Sequence, residues 1–294
     1  MTHPSPGKTL REAARGRTLA IPGAFNALVA RLIARAGFPA MYLSGAAFSA
    51  GALAMPDIGL FTLSELAVET ARLTRAAPIP LIVDADTGFG EAVNVERTVV
   101  ELEAAGAAAI QLEDQRLPKR CGHLSGKSLV DPAEMCAKIA AAVAARRDAD
   151  LVIIARTDAR GVVDFNDAVR RARQYVEAGA DWIFPEALAG RDEFAQFARE
   201  VRVPLVANMT EFGKSPLLPL TELAELGYAA VLFPVTLLRL AMKTVEGGLA
   251  QIAAEGTQRS LIADMQSREE LYALLGYDDY EERDRIYFRG EDRP

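Results

Sequence analysis

The sequence predicts an α/β protein, a (β/α)8 barrel followed by C-terminal helices. Three observations carry this. Eight short apolar runs rich in Val, Ile and Leu recur along the chain, as strands buried on both faces require. Amphipathic stretches separate them over roughly 230 residues, the length and count of such a barrel. Neither GxGxxG nor GxxxxGK followed by Ser or Thr comes after the first run, which disfavours the competing open doubly wound sheet.

The elements read in order. TLAIPG (18–23) is followed by AFNALVARLIARAG, with Gly37 just past the helical pattern, where a helix commonly ends. AMYLSG (40–45) precedes LSELAVETARLTRAA. PLIVDAD (80–86) precedes AVNVERTVVELEAAG, closed by Gly106. AAIQLED (108–114) leads through a long loop into PAEMCAKIAAAVAARR. LVIIARTD (151–158) precedes FNDAVRRARQYVEAGA, closed by Gly179. DWIFPEA (181–187) precedes RDEFAQFARE, and PLVANMT (204–210) precedes LTELAELG, closed by Gly227. AAVLFP (229–234) is the eighth run. Beyond it the chain reads as helical and ends in the charged YDDYEERDRIYFRGEDRP. No Pro-, Gly- or Ser-rich linker divides it, so residues 1–294 are predicted to form a single barrel domain with a C-terminal helical extension.

Composition removes several function classes. With 50% hydrophobic and 25% charged residues, disorder, collagen and coiled coil are excluded for the chain as a whole. Two Cys cannot build a disulfide framework, and reduced thiols fit a cytoplasmic protein. The start, MTHPSPGKTLREAARGR, lacks the apolar core of a secretory signal, and no run approaches the roughly 18 residues of a membrane span. A net charge of −7 argues against a nucleic-acid partner. His3 and His123 are the only histidines, too few for a His-rich zinc site.

A barrel of this kind builds its site at the C-terminal strand ends. Six consecutive strand ends here are polar: Tyr42 and Ser44, Asp84 and Asp86, Glu113 and Asp114, Arg156 and Asp158, Glu186, then Asn208 and Thr210. Asp84 and Asp86 are the sharpest pair, since a spacing of two on a strand puts both carboxylates on one face. Ionised side by side they repel, so either one takes up a proton or a cation sits between them. An all-oxygen ligand set suits Mg²⁺, with Mn²⁺ as an alternative, rather than Zn²⁺. Glu113, on the next strand, is placed to reach the same ion or one of its waters. The competing reading has these acids capping a helix or pairing with Arg.

The loop QRLPKRCGHLSGKSLVDP (115–132) is long for a βα connection, as lids and binding loops are, with Gly122 and Gly126 as candidate hinges. Cys121 is flanked by Lys119, Arg120 and His123, and nearby cations lower a thiol pKa. Such a thiol can donate or accept a proton or act as a nucleophile; an incidental surface Cys is the plainer alternative. Cys136 lies in a helical pattern and reads as core. Arg156, Arg239 and Arg268 form a basic set suited to a polyanionic small substrate; a salt-bridged helix face is the alternative for Arg239.

MYLSGAA (41–47), DADTGFG (84–90), QLEDQ (111–115), KRCGH (119–123), ARTDA (155–159), FPEA (184–187) and NMTEFG (208–213) together resemble the isocitrate lyase/phosphoenolpyruvate mutase superfamily over nearly the whole chain. KRCGH is the most specific and resembles the catalytic loop of the lyase branch. The resemblance implies cleavage of (2S,3R)-2-methylisocitrate to pyruvate and succinate in propionate catabolism, with 2,3-dimethylmalate cleavage or oxaloacetate decarboxylation as alternatives. It implies Mg²⁺ on Asp84 and Asp86, with Asp57 and Glu113 nearby through water. It implies substrate contacts at Ser44, Gly45, Ala46, Cys121, Gly122, Arg156, Glu186, Asn208, Met209, Thr210, Arg239 and Arg268. Cys121 would protonate the product carbon, with His123 supporting the developing charge. Tyr42 is a candidate base, and a metal-bound water is the alternative. Phe184 is the candidate wall beside the substrate methyl. A homotetramer of helix-swapped dimers completes the expectation.

Overall fold

The computed structural model describes residues 4–289, so His3 and residues 290–294 of the charged end lie outside the described residues. The chain divides into two compact units, Met1–Arg239 and Leu240–Pro294.

The first unit alternates strands and helices in this order: α1 (Pro6–Ala13), β1 (Leu19–Pro22), α2 (Ala27–Arg35), β2 (Met41–Leu43), α3 (Gly45–Leu53), α4 (Leu63–Ala76), β3 (Leu81–Asp84), α5 (Ala92–Ala104), β4 (Ala109–Glu113), α6 (Pro132–Ala145), β5 (Val152–Thr157), α7 (Ala159–Val162), α8 (Phe165–Glu177), β6 (Trp182–Pro185), α9 (Arg191–Glu200), β7 (Val206–Asn208), α10 (Leu220–Glu225) and β8 (Ala230–Phe233). All eight strands fall within the eight apolar runs of the sequence. They pair in parallel as β2-β3-β4-β5-β6 and β1-β8-β7. Parallel bridges Gly23↔Tyr42 and Ile183↔Leu205 join the two sheets, and the barrel closes.

Two apolar layers follow from the alternation of side chains along each strand. Leu19, Ile21, Ile82, Val152, Ile154, Trp182, Val206 and Leu232 pack inside the barrel. Met41, Leu43, Val83, Ile110, Ile153, Ile183 and Val231 face outward, against a ring of helices. The helix starts carry their signals: Thr62 and Glu65 form a capping box, Asn26 and Asp164 accept from the backbone, and Asp131 caps α6 ahead of Pro132. Gly106 and Gly179 take left-handed φ values of 94° and 107° just past their helices.

Helix α1 precedes the first predicted strand and closes the N-terminal end of the barrel. Leu10 enters the interior cluster, and Arg11 Nε donates to the Asp150 carbonyl at 2.8 Å. Helix α3 was not foreseen, because its run of small residues has no amphipathic stripe. Ser44 caps it.

α11 (Thr236–Glu255) runs into the second unit, which continues with the 3₁₀ turn Arg259–Asp264, α12 (Arg268–Leu275) and α13 (Tyr277–Arg289). Met242, Val245, Leu249 and Ile252 of α11 are exposed. Among the described residues, no helix is long and apolar enough to cross a membrane.

Candidate active site

The inward-facing positions change character along each strand. Ile82 gives way to Asp84, Ala109 to Gln111 and Glu113, Ile154 to Arg156, Phe184 to Glu186, and Val206 to Asn208. The strand register then sets neighbours side by side: Asp84 beside Gln111, Glu113 beside Arg156, and Arg156 beside Phe184. The result is a small cavity lined by polar side chains at the C-terminal end of the barrel.

One wall is acidic. Asp84 Oδ2 accepts from Gly45 N–H at 3.1 Å, so the start of α3 stabilises this carboxylate, and Asp84 Oδ1 accepts from Gln111 Nε2 at 3.0 Å. Asp86 lies past the end of β3 with a left-handed φ of 48°, which corrects the picture of two residues on one strand face. The turn nevertheless makes the two acids converge. A Cβ on Gly45 would stand 3.0 Å from Asp86 Oδ1 and 3.3 Å from Asp84 Oδ2. Burial, and then the neighbouring Asp84 and Asp57, push the Asp86 carboxyl up to about 7 despite Lys119 at 2.6 Å. Burial also raises Glu113 well above the usual carboxylate range, against the pull of Arg156, and Glu113 Oε1 has no hydrogen-bond partner among the described residues.

Lys119 bridges Asp57 and Asp86. Four carboxylates thus share one ammonium and the Arg156 guanidinium, an excess of buried acid that a divalent cation would relieve. Among the described residues, no three His, Cys, Asp or Glu side chains form a complete metal-binding group. An Mg²⁺ site does not require one, because that ion is commonly held by one or two carboxylates with water and substrate completing its shell. The oxygen-only donors, the convergence on Gly45 and the unpartnered Glu113 Oε1 fit such an ion. Tyr42 is buried, and its hydroxyl donates to Gln111 Oε1 at 2.9 Å. Burial and the charge on Asp84 raise its pKa well above that of a free phenol. The neutral form is favoured, so Tyr42 stands here as a donor, which tells against its expected role as a base.

The loop 114–131 also lines the cavity. An antiparallel bridge between Gln115 and Leu129 pins its base. Cys121 is half-buried, and Cys121, Gly122 and His123 all line the cavity. The flanking cations face other partners: Lys119 its two acids, Arg120 the Ser125 carbonyl, and His123 Nε2 the Glu186 Oε1 at 3.0 Å. The Lys214 N–H donates to His123 Nδ1 at 2.9 Å, so the β7–α10 loop closes onto the β4–α6 loop through this ring. Gly122 makes a close approach to the pair beneath it; a Cβ there would lie 2.4 Å from Arg156 Nη2. Gly126 does take a left-handed φ, at 82°.

The other expected residues divide. Ser44, Ala46, Asp57, Arg156, Phe184, Glu186, Asn208, Thr210 and Arg239 line the cavity. Asn208 Nδ2 donates to Glu186 Oε2 at 3.1 Å, while its Oδ1 is buried without a partner among the described residues. Arg156 is already engaged by Asp158 at 3.0 Å, Glu186 at 3.3 Å and Glu113 at 3.5 Å, so it is less free for a substrate carboxylate than the sequence implied. Arg239 is exposed, with Glu211 at 3.7 Å and Phe212 beneath its guanidinium. Met209 packs in the outer core, where its sulfur accepts from Leu218 N–H, and Gly45 contributes its N–H to Asp84. Arg268 opens α12 in the second unit, exposed. Gln111 and Lys127 were missed. Gln111 had a signal, since it shares the inward parity of Glu113; Lys127 had none.

Fold and site define the class, a (β/α)8-barrel enzyme with an oxygen-rich acidic pocket beneath a cysteine-bearing loop. The chain belongs to the phosphoenolpyruvate phosphomutase family, whose model matches residues 10–253. It is 58% identical over 280 residues to a 2-methylisocitrate lyase of Aeropyrum pernix, covering 95% of this chain and 90% of that one. A crystal structure of 2,3-dimethylmalate lyase superposes with a TM-score of 0.91 at 32% identity, covering 97% of this chain and 96% of the other. A phosphonopyruvate hydrolase structure holding oxalate and Mg²⁺ superposes at 0.88 with 35% identity, covering 97% and 100%.

Proposed function

We propose that this enzyme is an Mg²⁺-dependent carbon–carbon lyase that cleaves (2S,3R)-2-methylisocitrate to pyruvate and succinate, serving propionate catabolism in the cytoplasm. The observation that carries the reading is the meeting of Cys121 with the Asp84–Glu113 wall and the Arg156–Glu186 pair around one small cavity. Asp84 and Asp86 would hold the ion, with Asp57 and Glu113 through water. When bound there, Mg²⁺ lowers the cost of negative charge on the carbinol end of the substrate. The substrate hydroxyl gives up its proton to Glu113 Oε1, the carboxylate oxygen without a partner among the described residues. The C2–C3 bond breaks, C2 becomes the pyruvate carbonyl, and the electron pair passes to C3 and its carboxylate. Arg156, Arg239, Asn208, Thr210 and the Glu186-oriented His123 stabilise that charge. The Cys121 thiol then protonates C3, giving succinate. Ser44, Ala46 and the peptide of Gly122 orient the carboxylates, and the two loops exclude water. Phe184 forms the apolar wall at the methyl, which sets a preference over isocitrate of roughly 10–200-fold. The C-terminal unit is read as the extension through which subunits swap helices and form a tetramer. The second reading is 2,3-dimethylmalate cleavage, favoured by the likeness to that solved lyase.

Pyruvate release, followed with lactate dehydrogenase for 2-methylisocitrate, isocitrate, 2,3-dimethylmalate and oxaloacetate, tests this. The expected result is preference for 2-methylisocitrate, silence in EDTA, restoration by Mg²⁺, and loss of at least about two orders of magnitude in kcat for Cys121→Ser. Cys136→Ser is the control and keeps its activity. Full turnover by Cys121→Ser, or by metal-stripped enzyme, would overturn the mechanism; better use of 2,3-dimethylmalate would move the assignment to the second reading.

A further inference from the structure

Lys127 lies on the β4–α6 loop, its side chain 1% exposed, and it does not line the cavity. Its ammonium donates to the Gly122 carbonyl on the same loop and to Asp158 Oδ1 at 2.5 Å on the barrel rim. Asp158 is itself fixed. It is fully buried, it accepts from Arg156 Nε at 3.0 Å, and its backbone N–H donates to Asp114 Oδ1 at 2.9 Å. Asp114 in turn accepts from Tyr175 and Thr157 hydroxyls, each at 2.8 Å. One end of the lysine therefore rests on a rigid network of β4, β5 and α8, and the other holds the peptide next to Cys121.

That peptide has little freedom to be elsewhere. A Cβ on Gly122 would come within 2.6 Å of Glu186 Oε2, so the loop is packed directly against the Arg156–Glu186 pair. Lys127 is placed to keep it there, since an ammonium buried between two acceptors is costly to leave unpaired.

We infer that Lys127 is a positioning residue: a buried strut between Asp158 and the Gly122 carbonyl that holds the Gly122–His123 peptide, and with it the adjoining Cys121, at the mouth of the site. The inference rests on the proton-donor role proposed for Cys121. Without the strut the barrel keeps its core, while the loop loses its seat and the thiol its aim.

Lys127→Met, of similar length and without the charge, tests this in a Cys136→Ser background. The rate of Cys121 alkylation by iodoacetamide reads the seating of the loop, and pyruvate release reads kcat and KM. Removing a nearby cation would by itself slow a thiol, so faster alkylation reports exposure rather than electrostatics. Alkylation at least about ten-fold faster is expected, with kcat lowered about ten- to a hundred-fold, the scale of a roughly 1 Å misplacement. KM should rise less than kcat falls. Lys127→Arg, which keeps charge and donors, should recover part of both. Alkylation or kcat within two-fold of the parent overturns the inference. If Lys127→Met does not fold, Lys127→Gln is judged by the same two measurements. Failure of the proton-donor role is read separately, from Cys121→Ser, and leaves the alkylation result standing.

Discussion

Glu186 shows how a single residue sets the behaviour of the rim. Burial alone would raise its pKa, but Arg156 and then His123 outweigh this and hold it at about 2. A carboxylate depressed in the folded state adds stability that is present above its unfolded pKa, near 4.5, and is lost as pH falls toward about 2. Glu186→Gln should remove that part of the pH dependence. Urea midpoints at about pH 5 and about pH 3 should therefore differ less in the variant than in wild type. Equal differences would mean that Glu186 is not held ionised by its neighbours. Asp86 is the reverse case. There, burial beside two other acids dominates, and the group is raised rather than lowered.

At the scale of the element, the two rim loops meet at one ring. Gly213 lies so close to His123 that a Cβ would stand 2.7 Å from Nδ1, the atom that accepts from Lys214 N–H. Gly213→Ala should push the imidazole aside and break that bond while leaving the barrel intact. A loss of roughly ten- to a hundred-fold in kcat/KM, with an unchanged melting temperature, is expected; wild-type kinetics would show that the loops do not close together. Neither this contact nor the strut at Lys127 was legible in the sequence. The strands were, because a parallel strand buried on both faces is a short apolar run wherever it occurs. The rim charges were legible because strand alternation carried Asp84, Glu113 and Arg156 inward. Asp86 was found for a partly wrong reason, since a left-handed turn rather than the strand aims it. Contacts between loops depend on how two irregular segments fold over one another, and no periodicity encodes that. Helix α3 escaped because its small residues pack without an amphipathic stripe.

At the scale of the molecule, α11 presents Met242, Val245, Leu249 and Ile252 exposed at a spacing of three and four, one stripe along the helix. A contiguous apolar stripe on a chain with a net charge of −7 is poorly explained as solvent-facing surface. The proposed tetramer gives it a role as an interface between copies. In a symmetric assembly one substitution is repeated in every subunit, so small changes multiply. Burying a Leu or Ile side chain contributes about 1.5–3 kcal/mol, and a carboxylate in its place adds a desolvation cost. Leu249→Glu combined with Ile252→Glu should therefore release the 31.6 kDa chain from the larger species, as measured by size exclusion with light scattering. The isolated double variant should keep its barrel by circular dichroism, because both positions lie in the second unit. Wild type at the single-chain mass, at concentrations of tens of micromolar, would remove the helix-swapped tetramer and leave the chemistry of the barrel untouched.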